Sequence, residues 1–196
     1  LVFCLDERRD DYYWFVDFEL VSDNQYSGAT TINAGTLSVT SSGSIGGTAG
    51  VTGAALIITS ATLNLQRAIT VGSLSMSGTS PAITSAGTSS LIVSGISTLA
   101  GNITTSGLQT YTGAVTLGAA TTLTTGGTGG AITFSSTVNG ANTLSTTTTG
   151  STTFTGAVGG TPLTGLTINT ATLTAAAIGL ATNSALSVTN SGAGTI

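Results

Sequence analysis

The sequence contains no histidine and no lysine, and arginine occurs only three times. Without histidine, neither a Ser-His-Asp nor a Cys-His arrangement can be assembled, and the most common general bases are missing. Charged residues make up 5% of the chain, against about 25% in typical globular domains. We therefore expect no catalytic residues and no cofactor, and the lack of a basic patch argues against nucleic-acid binding.

Cysteine and long hydrophobic runs are also scarce. Cys4 is the only cysteine, which excludes an intrachain disulfide and a cysteine-based metal site. No stretch approaches the roughly 18 apolar residues of a membrane-spanning helix, so no transmembrane segment is predicted. The glycine-rich run GGTGG at 126–130 is not a phosphate-binding loop, because no lysine follows it.

The few charges lie almost entirely at the N-terminus. All seven acidic residues precede Asn24, and Arg67 is the only charged side chain beyond that point. This change of composition near residues 22–25 predicts two parts. Residues 1–23 form an acidic, aromatic segment, and residues 24–196 form a body rich in threonine and glycine.

Within the first part, the run DYYWFVDFELV at 11–21 alternates with period two, which is typical of a β-strand. One face of this strand would be wholly apolar and must be buried. The apolar face consists of Trp14, Val16, Phe18 and Leu20. Three interpretations stay open: the strand caps the body of its own chain, it pairs with another subunit, or it is the end of a neighbouring domain. These four residues are our candidate assembly site.

Asp17 and Glu19 lie on the other face of that strand, about 6.6 Å apart along it. Paired carboxylates at such a separation occur in glycosidases. The body carries no further acid that could line a groove, so we interpret both as solvated charges that protect an edge strand. The acidic residues also offer oxygen ligands for Ca²⁺, but their spacing matches no binding loop, and no metal site is predicted.

The body repeats a unit of a hydrophobic residue, a serine or threonine, and a glycine. Intervals near 20 residues, as between its occurrences, fit the coils of a β-solenoid. Alternating runs such as TINAGTLSVT would direct Ile, Leu and Val inward and Thr, Ser and Asn outward. We therefore predict an all-β parallel solenoid of about eight coils, with its aromatic residues at similar places. The unit begins at Tyr26, Val51, Met76, Val93, Tyr111 and Phe154, with the variant FSSTV at Phe134.

Two other architectures are less consistent with this pattern. A β-sandwich would need turn signals at shorter intervals, about every 8–12 residues, and a stronger aromatic core. A disordered Gly/Ser/Thr linker would not keep Val, Ile and Leu in alternation.

Two parts of the body resemble known repeat families. Residues 24–47, NQYSGATTINAGTLSVTSSGSIGG, resemble the autotransporter-associated β-strand repeat of bacterial passenger domains. Residues 109–168 are similar to the Thr/Gly-rich repeats of filamentous-haemagglutinin-like surface proteins. The resemblance implies a right-handed parallel β-helix that is secreted and displayed on a bacterial surface. The acidic, aromatic N-terminal segment has no counterpart in these families.

These observations favour a non-enzymatic structural protein: a solenoid segment of an extracellular bacterial fibre or adhesin. Copies of the chain would join end to end through residues 10–21, and host or cell-surface glycans are further candidate partners. The alternative is a binding module whose flat, Thr-rich face recognises a carbohydrate or ice. The pairs Thr122/Thr124, Thr170/Thr172 and Thr172/Thr174 suit it, although their spacing is not that of a constant coil. A glycan-active β-helix enzyme is a third possibility.

Overall fold

The structure, a computed structural model, describes residues 2–3, 17–22, 26, 28–45, 54–192 and 194–195. These residues form strands and turns and contain no helix. The strands, in chain order, are β1 (Val2–Phe3), β2 (Asp17–Leu20), β3 (Thr30–Ile32), β4 (Thr36–Val39), β5 (Ala55–Thr59), β6 (Thr62–Leu65), β7 (Ile69–Val71), β8 (Ser73–Ser77), β9 (Ala82–Ser85), β10 (Leu91–Val93), β11 (Ser97–Thr105), β12 (Gln109–Tyr111), β13 (Val115–Thr125), β14 (Ile132–Phe134), β15 (Val138–Asn139), β16 (Thr143–Thr148), β17 (Ser151–Phe154), β18 (Val158–Thr170), β19 (Thr172–Ala175), β20 (Ile178–Asn190) and β21 (Gly194–Thr195).

Every strand pairing in the described part of the chain is parallel and joins one coil to the next, so the predicted solenoid of about eight turns is confirmed. A coil supplies strands to three faces. Face A contains β1, β3, β5, β8 and β15, and face B contains β2, β4, β6, β9 and β16. The long strands β11, β13, β18 and β20 pass from face A into face B. Face C is a separate seven-stranded sheet made of β7, β10, β12, β14, β17, β19 and β21.

The bend between faces A and B in β11 depends on a glycine. The register of β11 against β13 shifts between Leu99 and Gly101, and Gly101 has a φ of +71°. Its missing side chain also matters, because a Cβ there would lie 2.1 Å from the carbonyl oxygen of Pro81 in the preceding coil. A glycine is therefore required both by the backbone conformation and by the close approach of the coils.

Inward side chains stack in register and form the core. On face B, one ladder begins at Phe18 and ends at Val188, with one residue from each coil between them. Its intermediate members are Leu37, Leu63, Ile83, Ile103, Leu123, Thr146 and Ile168. All seven are buried, and each fully buried aliphatic side chain stabilises the fold by roughly 1.5–3 kcal/mol.

The aromatic residues of the repeat form a second ladder on face C. Tyr111, Phe134 and Phe154 occupy the same register position in three successive coils. The ring centroids of Tyr111 and Phe134 are 5.3 Å apart, and those of Phe134 and Phe154 are 4.8 Å apart, both pairs stacked. Val93 precedes them in the same ladder. The predicted common place of these residues is confirmed, and each interval between them is one coil.

The other predicted starts of the repeat differ. Tyr26 precedes Thr30 by four residues, just as Tyr111 precedes Val115 by four. Tyr26, however, is half-buried and lies outside the strands, and its hydroxyl is 2.5 Å from Thr30 Oγ1. Met76 was wrongly placed, because it lies on face A opposite Ile58. The Ser-Gly that follows Met76 turns a different corner, where Gly78 has a φ of +86°. Val51 lies outside the described residues.

Two buried threonines interrupt the aliphatic ladders. Thr146 lies between Leu123 and Ile168, and Thr152 lies opposite Ile132. Both hydroxyls are buried and find no hydrogen-bond partner in the described part of the chain. An unsatisfied buried hydroxyl costs about 1–3 kcal/mol, so these positions weaken the later coils of the solenoid.

We therefore expect Thr146→Val and Thr152→Val each to raise the free energy of unfolding by about 1–2 kcal/mol. Each change replaces an unpaired hydroxyl with a methyl group of similar shape. Guanidinium unfolding followed by circular dichroism measures the effect. Thr147→Val, on the outward side of the same strand as Thr146, is the control and should change stability little. Equal effects of all three variants would contradict the explanation.

Candidate functional site

The described part of the predicted assembly strand pairs within its own chain. β2 aligns with β4 in parallel, with Asp17 opposite Thr36 and Leu20 opposite Val39. Leu20 is buried and Phe18 is half-buried against the core, whereas Asp17 and Glu19 are exposed. The predicted alternation is confirmed for these four residues, and their strand adds a layer to face B.

The remaining predictions for the N-terminal segment are not tested. Trp14 and Val16 lie outside the described residues. The part that Trp14, Val16, Phe18 and Leu20 play in assembly therefore stays a prediction, as does the domain boundary near residues 22–25. Phe18 and Leu20 already contact the core of their own chain. An intermolecular joint would therefore need other residues in addition to these two.

Among the described strands, β20 is the last layer of faces A and B, and we call its unpaired side the open edge. β20 pairs only with β18 among the described strands, so one side of its backbone lacks a partner strand. Leu186 and Val188 of β20 are 46% and 37% exposed. Their register partners one coil earlier, Leu166 and Ile168, are 1% and 0% exposed because β20 covers them. The exposed pair therefore marks core positions that a further layer would bury.

The two ends of the solenoid have matching patterns. Phe18 in β2 and Val188 in β20 are the first and last members of one ladder. A second layer placed on β20 in the same register would set Phe18 over Val188. It would also set Asp17 and Glu19 over Ser187 and Thr189, on the outward side where their charges stay hydrated. The geometry thus permits a head-to-tail joint that continues face B without a change of strand direction.

A regular array of polar side chains covers the outward side of face B. Five successive coils each place two side chains there, two residues apart on one strand, and no register shift interrupts the pairing. We call this set the outer grid. Its members, coil by coil, are Asn102 and Thr104, Thr122 and Thr124, Ser145 and Thr147, Thr167 and Asn169, and Ser187 and Thr189.

The outer grid corrects our interpretation of the Thr-x-Thr pairs. Thr122 and Thr124 do belong to an array repeated once per coil, because the varying coil length is taken up between the strands of face B. Thr170 does not contribute, since its side chain is buried and donates to the carbonyl oxygens of Gly150 and Thr172. Thr172 and Thr174 lie on face C.

A shallow groove lies beside the first column of the outer grid. Small residues, Ala120, Gly165 and Ala185, leave it open, and Thr143 and Thr164 also line it. The groove follows the direction in which coils stack. It contains no charged or aromatic side chain, so it offers only hydroxyl groups, amides and small apolar surfaces to a ligand.

A buried polar cluster inside the core escaped the sequence analysis. The side-chain amide of Gln109 donates to the backbone oxygens of Ile103 and Thr124, at 3.1 and 2.9 Å, and to Thr105 Oγ1 at 3.2 Å. The Tyr111 hydroxyl donates to Gln109 Oε1 at 3.1 Å, and its burial raises the pKa of Tyr111. The sequence did contain an indication of this cluster, because the period-two alternation places Gln109 on the same inward face as Tyr111.

The described residues can be compared with the side-chain clusters that bind metal ions and with the helices that cross membranes. They contain no group of three or more histidine, cysteine, aspartate or glutamate side chains that could hold a metal ion. They also contain no helix that is long and apolar enough to cross a bilayer. In comparisons with known proteins, no family model, curated protein or solved structure matches the chain. The sites described above therefore have to be interpreted from their own chemistry.

Gln109 should be coupled to Tyr111 in stability. We expect Gln109→Leu to lower the free energy of unfolding by about 1–3 kcal/mol, because it removes three buried hydrogen bonds and leaves the Tyr111 hydroxyl without its acceptor. Tyr111→Phe removes one of these groups, so the double variant should lose less than the sum of the single variants. Chemical unfolding of the four proteins in this double-mutant cycle measures the coupling, and strict additivity would contradict it.

Tyr111 should also make the fold sensitive to alkaline pH. Since burial raises its pKa above the ordinary value of 10.0, the unfolded chain releases this proton first as pH rises. Above about pH 10 the unfolded state then binds fewer protons than the folded state, and the free energy of unfolding falls. Tyr111→Phe should flatten that decline between about pH 10 and 11.5, whereas Tyr26→Phe serves as the control. An unchanged slope in Tyr111→Phe would contradict this assignment.

Proposed function

We propose that this chain is a non-enzymatic rod segment of an extracellular bacterial fibre or adhesin, and that copies of it stack end to end. The open edge of β20 carries the proposal. Among the described strands, none pairs with the far side of the thirteen-residue strand Ile178–Asn190, which carries the exposed core residues Leu186 and Val188. Such an edge favours the addition of another strand.

The first coil of another copy fits this edge. It would continue the ladder from Val188 to Phe18, and it would keep Asp17 and Glu19 in solvent. Completing the burial of Leu186 and Val188 contributes on the order of 2–3 kcal/mol, and each new backbone hydrogen bond about 0.5–1.5 kcal/mol. These terms must exceed the entropy cost of association, roughly 4–15 kcal/mol. A long, register-matched edge with many hydrogen bonds meets that requirement better than a side-by-side contact.

A head-to-tail contact that does not close into a ring generates an open filament. The mechanical role follows from the ladders, since hydrogen bonds between coils and stacked Ile, Leu, Val and aromatic side chains resist bending and protease access. Secretion and display on a bacterial surface are part of the proposal, and the resemblance of residues 24–47 and 109–168 to surface-protein repeats supports them. The proposal contains no catalytic step.

Charge placed in the joint should abolish stacking. Leu186→Lys/Val188→Lys introduces two cations at core positions that the next copy would cover, so we expect filaments to shorten or disappear while the β-sheet circular dichroism spectrum survives. Thr122→Lys/Thr124→Lys is the matched control, since it adds the same charge at the same spacing to the outward side of face B, three coils before the joint. Negative-stain electron microscopy and sedimentation velocity measure the outcome.

The N-terminal half of the joint has its own test. Trp14→Ser should weaken stacking if the apolar face of residues 10–21 takes part, as the sequence predicts. A wild-type chain that sediments as a monodisperse monomer at high concentration would refute end-to-end assembly. Filaments that persist in Leu186→Lys/Val188→Lys would instead refute the joint at β20.

A further inference from the structure

We propose that the outer grid of face B is an ice-binding surface, which recognises crystalline water through a two-dimensional array of hydroxyl, methyl and amide groups. The inference does not depend on the proposed function, because the outer grid is complete within one chain and needs no joint. Ice binding would be a second role, in addition to the structural one, and it assigns a ligand to face B.

The outer grid is periodic in two directions. Along each strand the two outer-grid side chains are about 6.6 Å apart, and between coils they are about 4.8 Å apart. The array extends over five coils with unbroken register from Thr104 to Thr189. An ice crystal is a ligand that is itself periodic in two dimensions, with oxygen spacings of similar size on its prism planes. A single soluble molecule would not need five equivalent rows.

Among the described strands, only those of face B extend two outward columns over five coils. On face C most strands have three residues, so Thr110, Thr133 and Thr153 form one long outward column, and a second column beside it spans only Ser151 and Thr172. On face A, Ser75, Thr98 and Thr116 form one long column, and a column beside it spans only Thr59 and Ser77. A single column of side chains can match only one row of water molecules in ice. Two adjacent columns can match a two-dimensional crystal surface. Face B is therefore the face suited to a crystal surface.

The chemistry of the ten outer-grid side chains also suits the binding of ordered water. None of them forms a hydrogen bond within the described part of the chain, in contrast to Ser38, Asn64 and Thr84, which bond to one another earlier on the same face. Six are threonines, whose β-branched side chains are restricted at χ1 and so present a hydroxyl and a methyl group in fixed positions. Methyl groups order the water around them, and the hydroxyls anchor it.

The lack of charge on the outer grid favours ordered water over other ligands. A charged side chain would impose its own hydration shell and disturb a lattice of neutral molecules. An aromatic ring would offer a flat apolar platform for a sugar, and the grid and the adjoining groove have none. A neutral glycan in that groove is the competing occupant, and the experiment below includes it.

Growing ice tests the proposal directly. Purified wild-type chain should be taken up into an ice hemisphere grown from dilute solution and should inhibit ice recrystallisation. Thr122→Lys/Thr167→Lys changes two exposed residues of the outer grid two coils apart. We expect this variant to need about tenfold more protein for the same inhibition, or more. Ser75→Lys/Thr116→Lys is the matched control on face A, again two coils apart and exposed, and it should behave as wild type.

Each other outcome overturns the proposal. A wild-type chain excluded from ice as completely as serum albumin, with no effect on recrystallisation, would show that the face does not recognise ice. Equal loss in both double variants would show that the outer grid is not the surface involved. Binding to insoluble cellulose or chitin that is lost in Thr122→Lys/Thr167→Lys, without uptake into ice, would assign the face to a neutral glycan instead. Circular dichroism confirms that both variants remain folded.

Discussion

Parallel hydrogen bonding between successive coils is the constraint on which the rest of the structure depends. It fixes neighbouring strands about 4.8 Å apart and in register, so each inward side chain lies on the equivalent residue of the previous coil. A ladder therefore needs side chains that stack on near copies of themselves. Aliphatic chains do so by dispersion, and the rings of Tyr111, Phe134 and Phe154 do so as offset stacks. The composition of the chain follows from this requirement.

The fold was predictable because alternation and a repeat are both visible in the sequence. Val93, Tyr111, Phe134 and Phe154 are each one coil apart. In each of these coils the repeated unit begins at the last residue of a face C strand. The same three-letter pattern at Met76 misled the prediction, because a hydrophobic residue followed by Ser-Gly also suits a corner after face A. Sequence spacing alone does not distinguish one corner of a solenoid from another; only the pairing between coils does.

The candidate sites were less predictable, and the reason differs between them. The alternation of Asp17, Phe18, Glu19 and Leu20 could be read directly, but the residue that each one covers depends on register. The regularity of the outer grid was not recognised in the sequence because the coils differ in length. The constant spacing on face B becomes visible only when the additional residues are assigned to the corners. The buried Gln109 was missed because two of its partners, Ile103 and Thr124, contribute only backbone oxygen, which no side-chain pattern in the sequence shows.

The edge and the outer grid are two results of the same stacking. At β20 the stacking stops within the described residues and leaves hydrogen-bonding groups and apolar side chains for another layer. On face B it is complete, and the outward residues inherit its regular spacing. A joint and a crystal-like surface can therefore coexist on one rod, because they use perpendicular directions: one lies along the axis and the other across a face.

The uneven length of the coils has a consequence for how such a chain evolves. Extra residues such as GGTGG at 126–130 lie between strands and leave the ladders undisturbed. Each coil touches mainly the coils before and after it, as in other solenoids. Unequal exchange between repeats in the gene can then add or remove a whole coil, and the new neighbours still stack. Rod length becomes a heritable quantity that varies in steps of one coil without a redesign of the core.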